Sequence, residues 1–435
     1  MRSLKKSISE PVFVKNVKIL RSSRDFIEGN ILVEDCVIRG VGDIRADKTG
    51  LVIDGGDGKK LAAIPGFVNA HTHAAMTLFR GYAEDMPLMK WLEEKIWPLE
   101  KKLKPEHVYA GTKLAAVEML KSGCTAFVDM YFYVESIAKA VRDTGIRACI
   151  SSAFFDFFDS SILEESISRV RKDLKLLSSM GGLIIPSVGP HAPYTVSLEG
   201  LKAAVEIAEE FDAIIHFHLA ETEKEVREFE KNGKSVVKAL DEIGFLSERL
   251  IAAHSIWLSD EEIEQLAKRG VNVAHCPVSN MKLCSGIFRY PEMLKAGVNV
   301  CLGTDGAASN NSLSILEEMK FAVLLQKVHR SMPEFRAEDV FESATFNGYR
   351  ALGLKGGRID EGYLADFSLY DLNTVSFCPN HSLLADIVYS ASNSVVYTFV
   401  NGVPVVEGGY FLGSREEELK VVEEARRAAE ELVTF

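Results

Sequence analysis

The chain reads as an α/β protein, a (β/α)₈ TIM barrel joined to a small β-rich domain built from both chain ends. Three observations in its 435 residues predict this. Between residues 65 and 355, eight short apolar runs alternate with segments of helical apolar spacing, and that span suits a barrel of ~250 residues with insertions. Short β-type runs punctuated by Gly and Asp lie on either side of it. Histidines and acids recur where the eight runs end, the rim that carries the chemistry in such barrels.

Taken in order, "PVFVKNVKIL", "NILVEDCVIRGVG" and "LVIDGGDGKKLAAI" suggest a small antiparallel unit over residues 1–64. "GGDGKK" lacks the spacing of a phosphate loop and reads as a hairpin turn. The barrel strands are "GFVNAHTH", "CTAFVDM", "RACISSAF", "LIIPSVGPH", "AIIHFHLAE", "LIAAHS", "VNVAHCP" and "VNVCLGTDG", with helices such as 197–210 and 259–269 between them. Over residues 356–435 strand texture returns in "YLADFSLYDL" and "VVYTFVNGVPVVEGGYF", before a charged terminal helix, "REEELKVVEEARRAAEELV". The simplest assembly pairs the two ends of the chain in one sheet. A chain of this length exceeds the ~250–300 residues at which one core stops growing, so a second unit is expected.

Composition narrows the function. Hydrophobic residues at 47% and charged residues at 26%, without low-complexity tracts, describe a chain that folds. A net charge of −12 with no long basic run argues against nucleic acid as a partner, because phosphate binding needs clustered Lys and Arg. The N-terminus lacks the apolar stretch of a signal peptide, and no window reaches the ~18 apolar residues of a membrane span. Seven cysteines without a C-x-x-C pair fit a reducing compartment, so a cytoplasmic protein is expected.

The ionisable residues point to a metal. His71 and His73 end the first run, and residues two apart on a strand face the same side, so both can face the barrel axis. An imidazole from the fifth run and the Asp305 carboxylate after the eighth would complete a nitrogen-and-oxygen set suited to Zn²⁺, with room left for water. His216 and His218 share a face, but His218 lies nearer the C-terminal mouth and is the candidate ligand. His216 sits one layer deeper and reads as a buried, satisfied core histidine. Glu221, in the turn leaving the strand, can lean over the ion's water, whereas Glu223 begins the next helix, where acids are favoured by the helix dipole. His191 follows the fourth run and His254 ends the sixth. His275, ending the seventh, fits a structural hydrogen bond as well as an assisting role. His107, His329 and His381 have no evident partner, Trp91 and Trp97 read as packing or wall residues, and Cys276, Cys284 and Cys301 as small apolar fillers.

"PGFVNAHTHAAMTLFRGYAED", "FVDMYF", "GPHAPYTVS", "HLAETEKE", "AAHSIWL", "HCPVSNMKL" and "LGTDGAASNNSL" together resemble the amidohydrolase superfamily over most of the chain. Within it the sequence is similar to the 5′-methylthioadenosine/S-adenosylhomocysteine deaminases. That resemblance implies metal ligation by His71, His73, His218 and Asp305, substrate contacts from Glu100 (to ribose hydroxyls), His191, Glu221 and Asp305, and catalysis by Glu221, His254 and Asp305. It implies one divalent ion per subunit, Zn²⁺ with Fe²⁺ as the alternative, since "LIIPSVGPHAP" offers no bridging lysine for a second. The expected reaction is hydrolytic deamination of an adenosine-type nucleoside: Asp305 takes the proton of the attacking water, His254 holds that water, and Glu221 protonates a ring nitrogen and then serves the departing ammonia.

One departure from the family is visible. Arginines that would hold a homocysteine carboxylate are absent from "SSAFFDFFDSSILEESIS", residues 151–168, where four phenylalanines, Asp156 and Asp159 stand instead. Uncharged 5′-substituents such as methylthio or deoxy are therefore expected to be preferred. Cytosine deamination, guanine- or triazine-type aminohydrolysis or chlorohydrolysis, and a non-catalytic assembly role on the same barrel are the competing readings. Homo-oligomerisation is left open.

Overall fold

Strands buried on both faces need no polar alternation, and the eight continuous apolar runs form one parallel sheet in chain order. They span Phe67–Thr72, Cys124–Tyr131, Arg147–Phe154, Ile184–Pro190, Ile214–Leu219, Leu250–His254, Asn272–His275 and Asn299–Leu302. The last meets the first through the Asp305 amide, which donates to the His71 carbonyl at 2.9 Å, and through the Thr304 amide on the Asn69 side chain at 2.9 Å. The result is a (β/α)₈ barrel. Its interior is filled by small and branched side chains including Val68, Ala70, Ala126, Val128, Ile251 and Ala274, with Tyr349 packed against them. The computed structural model of the chain describes residues 10–46, 50–56, 58, 60–231, 233–392 and 394–433. Residues 1–9, which bear on the signal-peptide reading, and Asp57 and Lys59 of the "GGDGKK" turn lie outside that set.

Helix ends follow from local chemistry. The segment read as 259–269 is the helix Asp260–Lys268, capped reciprocally by Ser259 and Glu262, and 197–210 is Leu198–Phe211, capped by Ser197.

Both chain ends meet in a second, nine-stranded sheet. Leu61–Pro65 pairs antiparallel with Phe367–Asp371, which pairs with Val395–Val400. The expected antiparallel N-terminal unit is corrected, however. Val12–Ser22 pairs antiparallel with Asp25–Glu34 on one edge, but parallel with Leu51–Asp54 and Leu61–Pro65 on the other. Alternation of apolar residues reports which face is buried and is blind to strand direction. "NILVEDCVIRGVG" also divides into two strands, turning at Asp35 and Cys36 with φ of 49° and 67°.

The sheet runs directly into the barrel at Gly66, where a Cβ would lie 2.1 Å from Thr125 Oγ1, so only glycine fits. Beside it, the buried Arg147 guanidinium donates to Asp366 Oδ2 at 3.0 and 3.1 Å, and Tyr349 donates to the same oxygen at 2.8 Å. Removing one member of a buried pair leaves an uncompensated charge. Arg147→Met is therefore expected to destabilise the protein by about 3–5 kcal/mol, read as a lowered denaturation midpoint; an unchanged midpoint would show the pair to be dispensable.

The terminal helix Arg415–Leu432 packs on the barrel helix Pro105–Lys121, with Lys113–Glu424 and Lys121–Glu418 pairs at 2.9 and 2.7 Å. His107 thereby gains a partner, Glu431, at 3.0 Å. No helix among the described residues is long and apolar enough to cross a membrane.

Candidate metal centre and active site

The C-terminal ends of the barrel strands bring His71, His73, His218 and Asp305 together. His71 Nε2 and His73 Nε2 lie 3.5 and 3.4 Å from Asp305 Oδ1, and His218 Nε2 lies 3.3 Å from His73 Nε2. Ligand atoms on a tetrahedron ~2.0–2.1 Å from its centre are about 3.3 Å apart, so the spacing suits one small ion. The hydrogen bonds agree. His73 Nδ1 meets the Met130 carbonyl at 2.8 Å and His218 Nδ1 the His191 carbonyl at 2.7 Å. A carbonyl only accepts, so each Nδ1 carries the proton and each Nε2 turns a lone pair inward. His71 Nε2 is buried without a hydrogen-bond partner among the described residues, and a cation is a fitting partner for its lone pair. Burial disfavours the imidazolium form and lowers His71 to about 4, and it lowers His218 as well. Neutral imidazoles are what a metal requires, and the cluster could hold a divalent ion.

Asp305 is braced from behind. Its Oδ2 accepts from Ser279 Oγ at 2.6 Å and Ser309 Oγ at 2.9 Å. Burial opposes its charge, but His71, His73 and His254 outweigh burial and hold the carboxyl well below the usual range. Asp305 also has φ of 62°, a left-handed conformation uncommon for a non-glycine residue.

Glu221 and His254 face each other beside the cluster, Oε2 to Nε2 at 3.9 Å. Burial raises the Glu221 pKa. The His254 pKa rises too: burial opposes this, but the Glu221 and Asp305 carboxylates dominate. Asn280 accepts from His254 Nδ1 at 2.9 Å, aiming Nε2 inward. Ser285 Oγ donates to Glu221 Oε1 at 3.1 Å, and the buried Glu225 carboxylate accepts from the Ala220 and Glu221 amides at 2.8 and 3.1 Å.

The remaining candidates line the same cavity. Glu100, on the short helix Trp97–Glu100, is raised to about 7 by burial, with the neighbouring Tyr131 hydroxyl favouring the ionised form. His191 stacks near Phe155 with ring centroids 4.8 Å apart. Trp91 and Trp97 are wall residues. His275 lies outside this cavity: its ring stacks on Phe288 at 4.2 Å, and neither nitrogen finds a partner among the described residues. Of the two readings left open for His275, the structural hydrogen bond finds no partner among the described residues, where Phe288 and Tyr290 pack against the ring. Cys284 is exposed, which corrects its reading as an apolar filler, while Cys276 and Cys301 are buried.

Trp97, Glu100, Phe132 and Phe155 also line an adjoining groove of about 1530 Å³. Phe132, Phe155 and Phe157 stack along it at 6.2 and 5.6 Å. Asp156, in the arginine-free stretch, is fully buried, its carboxylate accepting from the Phe158 amide at 2.8 Å and the Ser197 hydroxyl at 2.6 Å. Asp159 caps the helix Ser160–Met180. Arg169, one residue beyond the Arg-free stretch, lines the groove with Lys172 and Lys175, but its guanidinium is engaged by the Ala153 carbonyl at 2.7 Å and Ser152 Oγ at 3.2 Å.

Local pattern could not reveal Ser279, Ser285 or Asn280, because each reaches its partner from a distant part of the chain, whereas Ser309 lies four residues after Asp305. Glu225, four residues after Glu221, was findable as a helical interval.

A 5-methylthioadenosine/S-adenosylhomocysteine deaminase from Archaeoglobus fulgidus is 57% identical, covering 97% of this chain and 99% of its own. A 5′-deoxyadenosine deaminase from Methanopyrus kandleri is 48% identical over 87% of this chain and 88% of its own. The crystal structure of a zinc-bound adenosine deaminase from Xanthomonas campestris superposes with a TM-score of 0.90 at 32% identity, covering 98% and 99% of the two chains. The amidohydrolase family profile matches residues 62–405, nearly the whole of the barrel and much of the sheet, and the protein that places three imidazoles and an aspartate at this rim belongs to that family.

Proposed function

We propose that the protein is a hydrolytic deaminase of adenosine-type nucleosides, acting on 5′-methylthioadenosine and 5′-deoxyadenosine ahead of S-adenosylhomocysteine, with Zn²⁺ as its ion. The observation that carries this reading is the facing pair Glu221 and His254 set 3.9 Å apart beside the four converging ligand atoms. His71, His73, His218 and Asp305 would hold the ion, which supplies the Lewis acidity that lowers the pKa of water from 15.7 to ~7.

The chain's own groups handle the protons. Asp305, whose Oδ2 is held by two serines and whose Oδ1 accepts from the Gly306 amide at 2.7 Å, is the carboxylate that takes the attacking water's proton. His254 Nε2 orients that water and stabilises the charge that develops. Glu221, whose raised pKa keeps a proton available, donates it to the ring nitrogen next to C6 as the water oxygen bonds to C6. Cleavage of the C6–N bond then needs a proton on the leaving nitrogen. Glu221, left deprotonated by the first transfer, takes the proton of the hydroxyl now on C6 and delivers it to that nitrogen; the proton on Asp305 then returns to Glu221, so water and the aminopurine give the oxopurine and ammonia. Glu100 accepts from ribose hydroxyls, and His191 contacts the substrate. The 5′ end then enters the groove between Phe132, Phe155 and Phe157, an apolar wall that suits a methylthio or deoxy group. Arg169 already donates to the Ala153 carbonyl and Ser152 Oγ and lies 3.5 Å from the Asp173 carboxylate, with which a substrate carboxylate would have to compete.

The test is kcat/KM for methylthioadenosine, 5′-deoxyadenosine, adenosine and S-adenosylhomocysteine, with cytosine, guanine and a chlorotriazine as ring controls. The two uncharged 5′-substituents are expected to lead. A lead for S-adenosylhomocysteine would show that the lysine-rimmed groove supplies the carboxylate site, and a lead for a ring control would overturn the substrate class.

A further inference from the structure

Two of the three imidazoles at the metal centre are fixed directly by backbone carbonyls. His71 is not. Its Nδ1 lies 2.7 Å from His216 Nε2, with the rings nearly perpendicular at 81°. His216 is fully buried one layer below the site. On its far side, His216 Nδ1 lies 3.3 Å from Ser151 Oγ, Ser151 Oγ lies 3.0 Å from Ser187 Oγ, and Ser187 Oγ lies 3.0 Å from the Ile214 carbonyl.

The end of this chain sets its direction. The Ile214 carbonyl can only accept, so Ser187 donates to it. With its one proton committed, Ser187 accepts from Ser151, and Ser151 in turn accepts from His216. Neutral His216 therefore carries its proton on Nδ1 and offers Nε2 as an acceptor. His71 must then donate from Nδ1, which leaves its Nε2, buried and otherwise unpartnered, with a lone pair facing the ion site.

We propose that His216 is a positioning residue: through the Ser151–Ser187–Ile214 chain it imposes the Nδ1–H tautomer on His71 and so makes His71 a metal ligand. This rests on the reading of His71 as a ligand given above. His216 is then more than a core histidine that happens to be satisfied, because the opposite tautomer would point an N–H at the cation. Groups that orient a ligand in this way typically contribute 10–100-fold in metal affinity.

The experiment compares Zn²⁺ affinity of the metal-stripped protein with that of three variants by chelator competition, and reads histidine tautomers by imidazole nitrogen NMR. His216→Leu removes the acceptor and is expected to weaken Zn²⁺ by roughly 10–100-fold. His216→Gln, whose amide oxygen can replace Nε2, is expected to recover most of that loss. Ser151→Ala, a small change in volume, should weaken Zn²⁺ less than His216→Leu and guards against misfolding of the larger substitution. In the metal-stripped parent, His71 and His216 should both be Nδ1-protonated. Equal Zn²⁺ affinity in a folded His216→Leu protein, no advantage of Gln over Leu, or an Nε2-protonated His71 would each overturn the proposal. A parent that binds no Zn²⁺ at all would overturn the metal centre itself.

Discussion

Glu221→Gln is expected to keep its metal and lose kcat by ~10²–10⁴, the range for a positioned acid–base group. Glutamine retains the length of the side chain and an oxygen for Ser285, whose hydroxyl lies 3.1 Å from Oε1. The backbone at 220–221 is held separately by Glu225, so the variant should fold and place its amide where the carboxyl stood. What it loses is a transferable proton. Attack at C6 would then put negative charge on a ring nitrogen in a buried cavity without the acid that protonates it. Steady-state kcat with methylthioadenosine, alongside elemental analysis of bound metal, separates the outcomes. A rate near that of the parent would remove Glu221 from the mechanism; loss of metal together with rate would reassign it to ion binding.

Stripping the ion should cost more than Glu221→Gln, because the pKa of water returns from ~7 to 15.7 and no side chain in the cavity replaces that effect. His73→Ala should act similarly by removing a ligand atom 3.4 Å from Asp305 Oδ1 and 3.3 Å from His218 Nε2. Re-addition of Zn²⁺ is expected to restore the stripped parent but not the variant at equal concentration. The folded state alone assembles the site, so bound ion should also raise the unfolding midpoint, by about 2.7 kcal/mol of stability at a hundredfold excess over Kd. A stripped protein, verified metal-free, that turns over at the parental rate would exclude metal-assisted hydrolysis. The same measurement with Fe²⁺ in place of Zn²⁺ decides which ion supports the higher rate.

Much of the fold was legible because it rests on short-range periodicity. Runs such as "RACISSAF" lack the apolar–polar alternation of a half-exposed strand, and this one is the strand Arg147–Phe154, buried at every position. Two-residue spacing put His71 and His73 on one face, and distance along the strand separated His218 from the deeper His216 before any contact was known. Direction and partnership were not legible. The N-terminal strands alternate in the same way whether paired parallel or antiparallel, so only the sheet revealed that Val12–Ser22 runs alongside Leu61–Pro65.

The amino-acid order alone thus determined the strands, their inward faces and the residue types at the barrel mouth, since each depends on neighbours a few positions away. The closed barrel decided which distant side chains touch: Ser279 on Asp305, and His216 on His71 across 145 residues of chain. Those contacts depend on strand register and on the curvature that brings the eighth strand back to the first. Neither leaves a periodic trace in the sequence, because a hydrogen bond across a barrel constrains a distance in space and no interval along the chain.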